Sequence, residues 1–174
     1  MKVGLLSDTH DRLPAIEALL RYMQDRGVGM VLHAGDFCAP FALKPFIALN
    51  IPMVGVFGRN DGDHEGIKAF AQQGMGLELY ESPHSFELGG QRVLLIHDLI
   101  DTSARSIEAH SVVVHGSSHR EEMQIRGDTL LVNPGEGCGW LNGDPSGAIL
   151  DLQTKDVHFF KLKDVHAFEP SDDA

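Results

Sequence analysis

Five short apolar runs in this chain each stop abruptly at a polar loop carrying carboxylate or imidazole groups. The loops read Asp8-Thr9-His10, Gly35-Asp36, Gly58-Arg59-Asn60-Asp61, His97-Asp98 and Gly116-Ser117-Ser118-His119. Apolar strands alternating with helical segments build an open α/β sheet, and the loops at the carboxyl ends of its strands gather into one crevice. Residues far apart in the chain are therefore expected to meet there. Taken singly, each loop has an ordinary explanation: Asp-x-His after a strand is commonly a capped loop, and Gly-Asp a turn. Five such strand ends in succession are harder to dismiss. Together their oxygen and nitrogen donors suit a divalent ion such as Mn, Fe or Zn, of the kind that activates water for hydrolysis.

The first half of the chain reads as βαβαβα. Strands are expected at Val3-Leu6, Met30-His33 and Met53-Phe57. The intervening helix begins near Pro14, turns Ile16, Leu19, Leu20 and Met23 to one face and stops at Gly27. Helical segments over 40–49 and 64–73 follow, the second closing at Gly74. This order favours parallel strands with right-handed crossovers. The second half is richer in hairpins: Phe86-Leu88 with Val93-Ile96 about Gly89-Gly90, Met123-Arg126 with Leu130-Val132 about Gly127-Asp128, and Ala148-Leu152 with Val157-Leu162. A short helix at Ser103-His110 and a buried strand at Val112-Val114 separate the first two. Antiparallel or mixed pairing is expected in this half. The fold expected is α/β, a four-layer α-β-β-α sandwich of two mixed sheets flanked by helices. One domain spans 1–168, and the polar, acidic segment 169–174 is expected to be disordered.

Composition narrows the function. With 14 Lys+Arg against 25 Asp+Glu, the formal charge of -11 argues against broad nucleic-acid binding, whose affinity comes from cationic contacts to phosphates. It leaves a phosphate ester open as substrate, because a bound cation inverts the local sign. No apolar run is long enough for a membrane span, and the run in Met1-Leu6 is too short for a signal peptide. Cys38 and Cys138 make no disulfide framework and read as free thiols in a reducing cytoplasm. Of the ten histidines, His33 and His115 belong to apolar runs and are expected to be hydrogen-bonded structural groups. His64, His84, His110, His158 and His166 are expected on the surface or in loops, and Trp140 to pack on a sheet or to lid the site. A homodimer through an exposed sheet edge remains open.

The ordered set Asp8-x-His10, Gly35-Asp36, Gly58 to Asp61, His97 and Gly116-x-x-His119 resembles the calcineurin-like metallophosphoesterases. More narrowly it is similar to their small bacterial and archaeal phosphodiesterase branch, to which the metallophosphoesterase-like subunit of retromer is related. The Asn133-Pro134-Gly135 turn also matches that branch, and the resemblance runs from residue 2 to about 162. It implies a bridging aspartate, Asp36, and a first metal site of Asp8, His10, Asp36 and His119, with His97 as a ligand of a second.

Two positions depart from the pattern. Where the family has Gly-Asn-x-Asp the chain has Gly58-Arg59-Asn60-Asp61, and where it has Gly-His-x-His the chain has Gly116-Ser117-Ser118-His119. Asp98 also stands where a glycine commonly follows the histidine. The resemblance implies a metal-dependent phosphodiesterase or phosphatase that uses metal-activated water. One or two ions are expected, Mn2+ foremost, with Fe, Zn, Ni or Mg as alternatives. Three readings of the altered second site stay open. Arg59 takes the place of the second ion and, with Asn60 and Asp61, binds substrate phosphate, Asn60, Arg59 and His97 acting in catalysis. Alternatively Asn60 shifts by one position to act as a ligand, completed by Asp98 or water. In the third, catalysis is weakened or lost and the fold serves as a protein-interaction scaffold.

Overall fold

The computed structural model describes residues 1–163, so segment 169–174 and His166 lie outside the described residues. In chain order the elements are β1 (Lys2–Leu6), α1 (Leu13–Gln24), β2 (Val31–His33), a 3-10 turn (Pro40–Leu43) running into α2 (Lys44–Ala48), β3 (Met53–Val56), α3 (His64–Ala71), β4 (Leu77–Tyr80), β5 (His84–Leu88), β6 (Gln91–Leu95), a second 3-10 turn (Leu99–Asp101), α4 (Ala104–Glu108), β7 (Val112–Val114), β8 (Glu121–Arg126), β9 (Thr129–Pro134), β10 (Ser146–Asp151) and β11 (Val157–Lys161).

The first sheet has the order β11-β10-β1-β2-β3-β4, with β1 to β4 parallel, β10 antiparallel to β1, and β11 antiparallel to β10. The second has the order β5-β6-β7-β9-β8, with β6, β7 and β9 parallel. Strand alternation distributes the side chains into layers. Val3, Leu5, Leu32 and Val56 of the first sheet meet Val93, Leu95, Val112, Val114 and Val132 of the second in one buried cluster. On the opposite face of the first sheet, Leu6, Val31 and Met53 pack against Ile16, Leu19, Leu20 and Met23 of α1, Phe46 of α2 and Ile67 of α3. Beyond the second sheet, Leu94, Val113 and Leu131 pack against Ile107 of α4. The result is the four-layer sandwich expected from the sequence.

Two differences have physical reasons. β4, with residues Leu77, Glu78, Leu79 and Tyr80, was not expected: it is a half-buried edge strand whose apolar run is broken by Glu78, and Gly74 and Gly76 precede it. The last hairpin does not stay with its sequence neighbours but joins the first sheet. Val3 pairs with Leu150 and Leu5 with Ala148, so Ala148, Leu150 and Leu152 fill the same inter-sheet core as Val3 and Leu5.

Candidate metal centre

The loops that follow β1, β2, β3, β6 and β7 converge, and the backbone holds them together. The N–H groups of Asp8, His10 and Asp11 donate to the carbonyls of Gly35, Asp36 and Phe37 at 3.0–3.1 Å. The Gly116 N–H donates to the His97 carbonyl at 2.9 Å, and Cys138 N–H to the Asp8 carbonyl at 3.0 Å. These chains turn sharply. Of nine described non-glycine residues with positive φ, seven lie here: Asp8, His10, Asp11, Asp36, Cys38, Ser117 and His119. Such backbone is costly and persists where the surrounding structure over-determines it, commonly at functional sites. Gly35, at φ 103, packs so closely on Gly58 and His97 that a Cβ would clash with both.

The gathered side chains form two overlapping groups, Asp8-His10-His119 and Asp8-Asp36-His97, each with its ligand atoms within 4.8 Å of one another. The two oxygens of Asp36 face different imidazoles: Oδ2 lies 3.6 Å from His10 Nε2 and Oδ1 3.5 Å from His97 Nε2. His119 Nε2 lies 3.4 Å from Asp8 Oδ1. Asp8 is fully buried, and its burial raises the carboxyl pKa despite the nearby Ser7 hydroxyl and imidazoles.

The supporting contacts fix which nitrogen each imidazole presents. His97 Nδ1 lies 2.7 Å from the Ala34 carbonyl; a carbonyl can only accept, so Nδ1 carries a proton, and in the neutral ring the lone pair is then on Nε2, toward Asp36. His119 Nδ1 lies 3.4 Å from Oε1 of the buried Glu136; the contact is not a formed hydrogen bond, but it puts a carboxylate behind the imidazole, the arrangement that orients ligand histidines. Burial disfavours ionisation of Glu136, but the N–H groups of Leu141 and Asn142, both 2.9 Å away, with Cys138 and His119, hold its pKa below the ordinary value. His10 Nδ1 contacts Cys38 Sγ at 3.2 Å. Burial and surrounding carboxylates push the Cys38 pKa up to about 12, and Cys138 is likewise raised to about 12, chiefly by burial. Both stay neutral, free thiols.

These residues fit a divalent cation. Asp8 Oδ1 and His10 Nε2 are buried without a hydrogen-bond partner, an arrangement that costs about 1–3 kcal/mol per group unless something positive sits between them. Carboxylate oxygens and imidazole nitrogens aimed at one point are a donor set for a transition metal.

The altered second site departs from the expectations in detail. Arg59 is half-exposed and paired with acidic groups: its Nη2 lies 2.9 Å from Asp98 Oδ2 and 3.9 Å from Asp101 Oδ2. Asp98 also accepts the Ser117 hydroxyl at 3.1 Å. Burial opposes its ionisation, but that bond, the Ile100 N–H and Arg59 prevail and lower its pKa. Asn60 is drawn onto the aspartate, its backbone N–H donating to Asp36 Oδ1 at 2.9 Å and its Nδ2 to Oδ2 at 2.7 Å. Asp61, expected at the substrate, is instead buried, and its oxygens accept the N–H groups of Gly58, Asp36 and Cys38 at 2.7–3.0 Å. It ties the loops together and presents no free oxygen edge. An open cleft of about 350 Å³, walled by Asp98, Leu99, His115, Gly116, Ser117, Ser118 and Glu122, adjoins the site.

Elsewhere, His33 has the structural role expected: it is buried, contacts Thr9 Oγ1 at 3.0 Å and accepts the Gly35 N–H. Its pKa falls well below the ordinary value, mainly through burial. His115 is buried with its pKa lowered, again mainly by burial. His110 is not a surface residue: it is buried between the Ser85 hydroxyl at 2.7 Å and the Ser106 carbonyl at 2.6 Å. Trp140 does not pack on a sheet; it is 63% exposed, with Arg12 over its ring at 4.7 Å. Glu136 escaped notice in the sequence, although it directly follows the Asn133-Pro134-Gly135 turn. Asn133 itself is buried, donating to the Gly116 carbonyl and to Ser118, which fixes the loop carrying His119.

A two-sheet sandwich with carboxylates and imidazoles gathered at its strand ends defines the class of a metal-dependent phosphoester hydrolase. The chain belongs to the calcineurin-like phosphoesterase superfamily, whose domain profile matches residues 1–155. It is 32% identical to a phosphodiesterase of Methanocaldococcus jannaschii over 94% of this chain and all of that one. A solved archaeal phosphodiesterase superposes with a TM-score of 0.86 at 31% identity, over 93% of this chain and all of that one. Vacuolar Protein Sorting 29 of Cryptosporidium parvum shares the fold at 16% identity and a TM-score of 0.62, over 93% of this chain and 97% of that one. The chain is thus a metal-dependent hydrolase of phosphoesters. Among the described residues, no helix is long and apolar enough to cross a membrane.

Proposed function

We propose that the chain hydrolyses small phosphodiesters, with phosphomonoesters as poorer substrates, in a reducing cytoplasm suited to its free thiols. Asp8, His10, Asp36 and His119 would hold the main ion, Mn2+ foremost, and Asp36 and His97 a second one where it binds. The supporting observation is the pair of buried, unsatisfied ligand atoms, Asp8 Oδ1 and His10 Nε2, facing the same point. When bound, the ions polarise the phosphoryl oxygen and make water a nucleophile near neutral pH.

The chain's own groups do the remainder. Glu136 and Cys38 orient the imidazoles of His119 and His10, and the Ala34 carbonyl fixes the His97 tautomer. Asn60 steers Asp36 with one Nδ2 proton and leaves the other for a phosphate oxygen. Arg59, tethered by Asp98, would offer its remaining N–H groups to the phosphate, a planar fork suited to two oxygens and to the charge growing in the transition state. Without a second ion, the His97 Nε2 lone pair can instead take a proton from the attacking water. The acidic balance of -11 favours a small ester over a polynucleotide.

The test is hydrolysis of an aryl phosphodiester and an aryl phosphomonoester by metal-stripped protein titrated with Mn2+. Activity should saturate with bound metal, and Asp36→Ala should lower kcat/KM by about 10³-fold or more. An Asp36→Ala protein with the parent's rate would sink the assignment.

A further inference from the structure

We infer that β8 is a docking edge for a second copy of this chain, the two β8 strands pairing antiparallel about a twofold axis at Gln124. β8 ends the second sheet, and among the described residues β9 is its one strand neighbour. Edge strands are ordinarily guarded by lysines, prolines or bulges. β8 has six residues, no Lys, Pro or bulge, and an unbroken register from Glu121↔Pro134 to Arg126↔Thr129; its charges, Glu121, Glu122 and Arg126, are of both signs and so can pair as well as repel. Met123 and Ile125 are 55% and 70% exposed on it, beside a groove that also takes in Leu130 and Val157.

The side chains select the partner. Arg126 and Thr129 flank the two-residue turn Gly127-Asp128, so residues 126, 124 and 122 bond to β9 while 121, 123 and 125 direct their N–H and C=O groups outward. A twofold axis at Gln124 sets Met123 opposite Ile125 through those outward groups. On the other face it sets Glu122 opposite Arg126 and Arg120 opposite Asp128, each pair occurring twice by symmetry. In the monomer, Arg126 already shares that face with Gln124, its Nε 2.9 Å from Gln124 Oε1. Shifting the pairing by one repeat in one direction brings Arg120 against Arg126; in the other it brings Glu122 against Asp128. Like charges directly opposite are unfavourable, so the strand is self-complementary in this register and repelled in its neighbours. The turn of the second copy would then lie beside Arg120, next to His119. Edge pairing alone covers less than the about 1,200–2,000 Å² of a stable interface, so association should be reversible and concentration-dependent.

Sedimentation velocity on the full chain over a concentration series tests this. A monomer–dimer equilibrium is expected. Arg126→Glu should weaken it by about tenfold or more, and adding Glu122→Arg to that chain should restore it. Ile125→Pro removes an outward N–H, a change tolerated on a free edge, and should abolish the dimer while circular dichroism and hydrolysis persist. A chain that stays monomeric throughout, or a charge swap that recovers nothing, overturns the inference. So does slow hydrogen exchange at the Met123 and Ile125 amides of the monomer, which would assign the edge to the chain's own residues 164–174.

Discussion

At the scale of single residues, the site depends on groups that touch no substrate. Glu136 is buried, takes two backbone N–H groups and faces His119 Nδ1, so it orients a ligand histidine from behind. Glu136→Gln keeps an acceptor for those amides but removes the charge; metal affinity should fall about 10–100-fold by calorimetric titration. An unchanged affinity would leave Glu136 a purely structural residue. Arg59 stands where the family pattern has a metal-ligating asparagine, and it is tethered by Asp98. Arg59→Ala should lower kcat/KM by about 10²-fold while leaving metal stoichiometry intact. If the metal titration changed and the kinetics did not, Arg59 would belong to the metal's surroundings and not to the phosphate.

At the scale of elements, the loops after β2 and β3 are one unit. Asp61 holds the N–H groups of Gly58, Asp36 and Cys38, while Asn60 holds the carboxylate of Asp36 from the other side. The space between them is filled: a Cβ on Gly58 would meet the Asp36 carboxylate, the Asp36 nitrogen at 2.6 Å and the His97 ring at 2.9 Å. Gly58→Ala should therefore cost about 1–3 kcal/mol of stability in chemical denaturation and displace the candidate bridging carboxylate. Metal binding should weaken in the same protein. Parent-like values in both measurements would mean that the loops slide freely past each other.

At the scale of the whole molecule, folding assembles the ligands and metal binding should in turn support the fold. Two adjacent carboxylates, Asp8 and Asp36, are almost completely buried, and a cation that binds the folded state alone stabilises it by mass action. With Mn2+ at a hundred times its Kd, the gain should be about 2.7 kcal/mol, visible as a higher Tm that a chelator reverses. Asp36→Ala should show little of that shift. A parent Tm indifferent to metal and chelator would contradict a folded-state cation site.

Much of this protein is written locally. The alternation of apolar strands with α1-type periodicity dictated the two-sheet sandwich, since Ile16, Leu19, Leu20 and Met23 can be buried together on one helix face. The strand-end placement of Asp8, His10, Asp36, His97 and His119 was equally legible, because strand and ligand are contiguous in the chain. What the sequence could not contain are relations across it. Asp61 looks like a phosphate-binding residue until three backbone N–H groups claim it, and His110 looks like a surface or loop residue until Ser85 closes over it. Glu136 gains its role only when β9 delivers it behind His119, and Arg59 its direction only when Asp98 arrives from the loop after β6. The last hairpin reads the same on either sheet; burying Ala148 and Leu150 beside Val3 and Leu5 decides it. Periodicity and strand ends are local properties of the chain, whereas hydrogen-bond partners and sheet membership are set by which distant groups folding brings within reach.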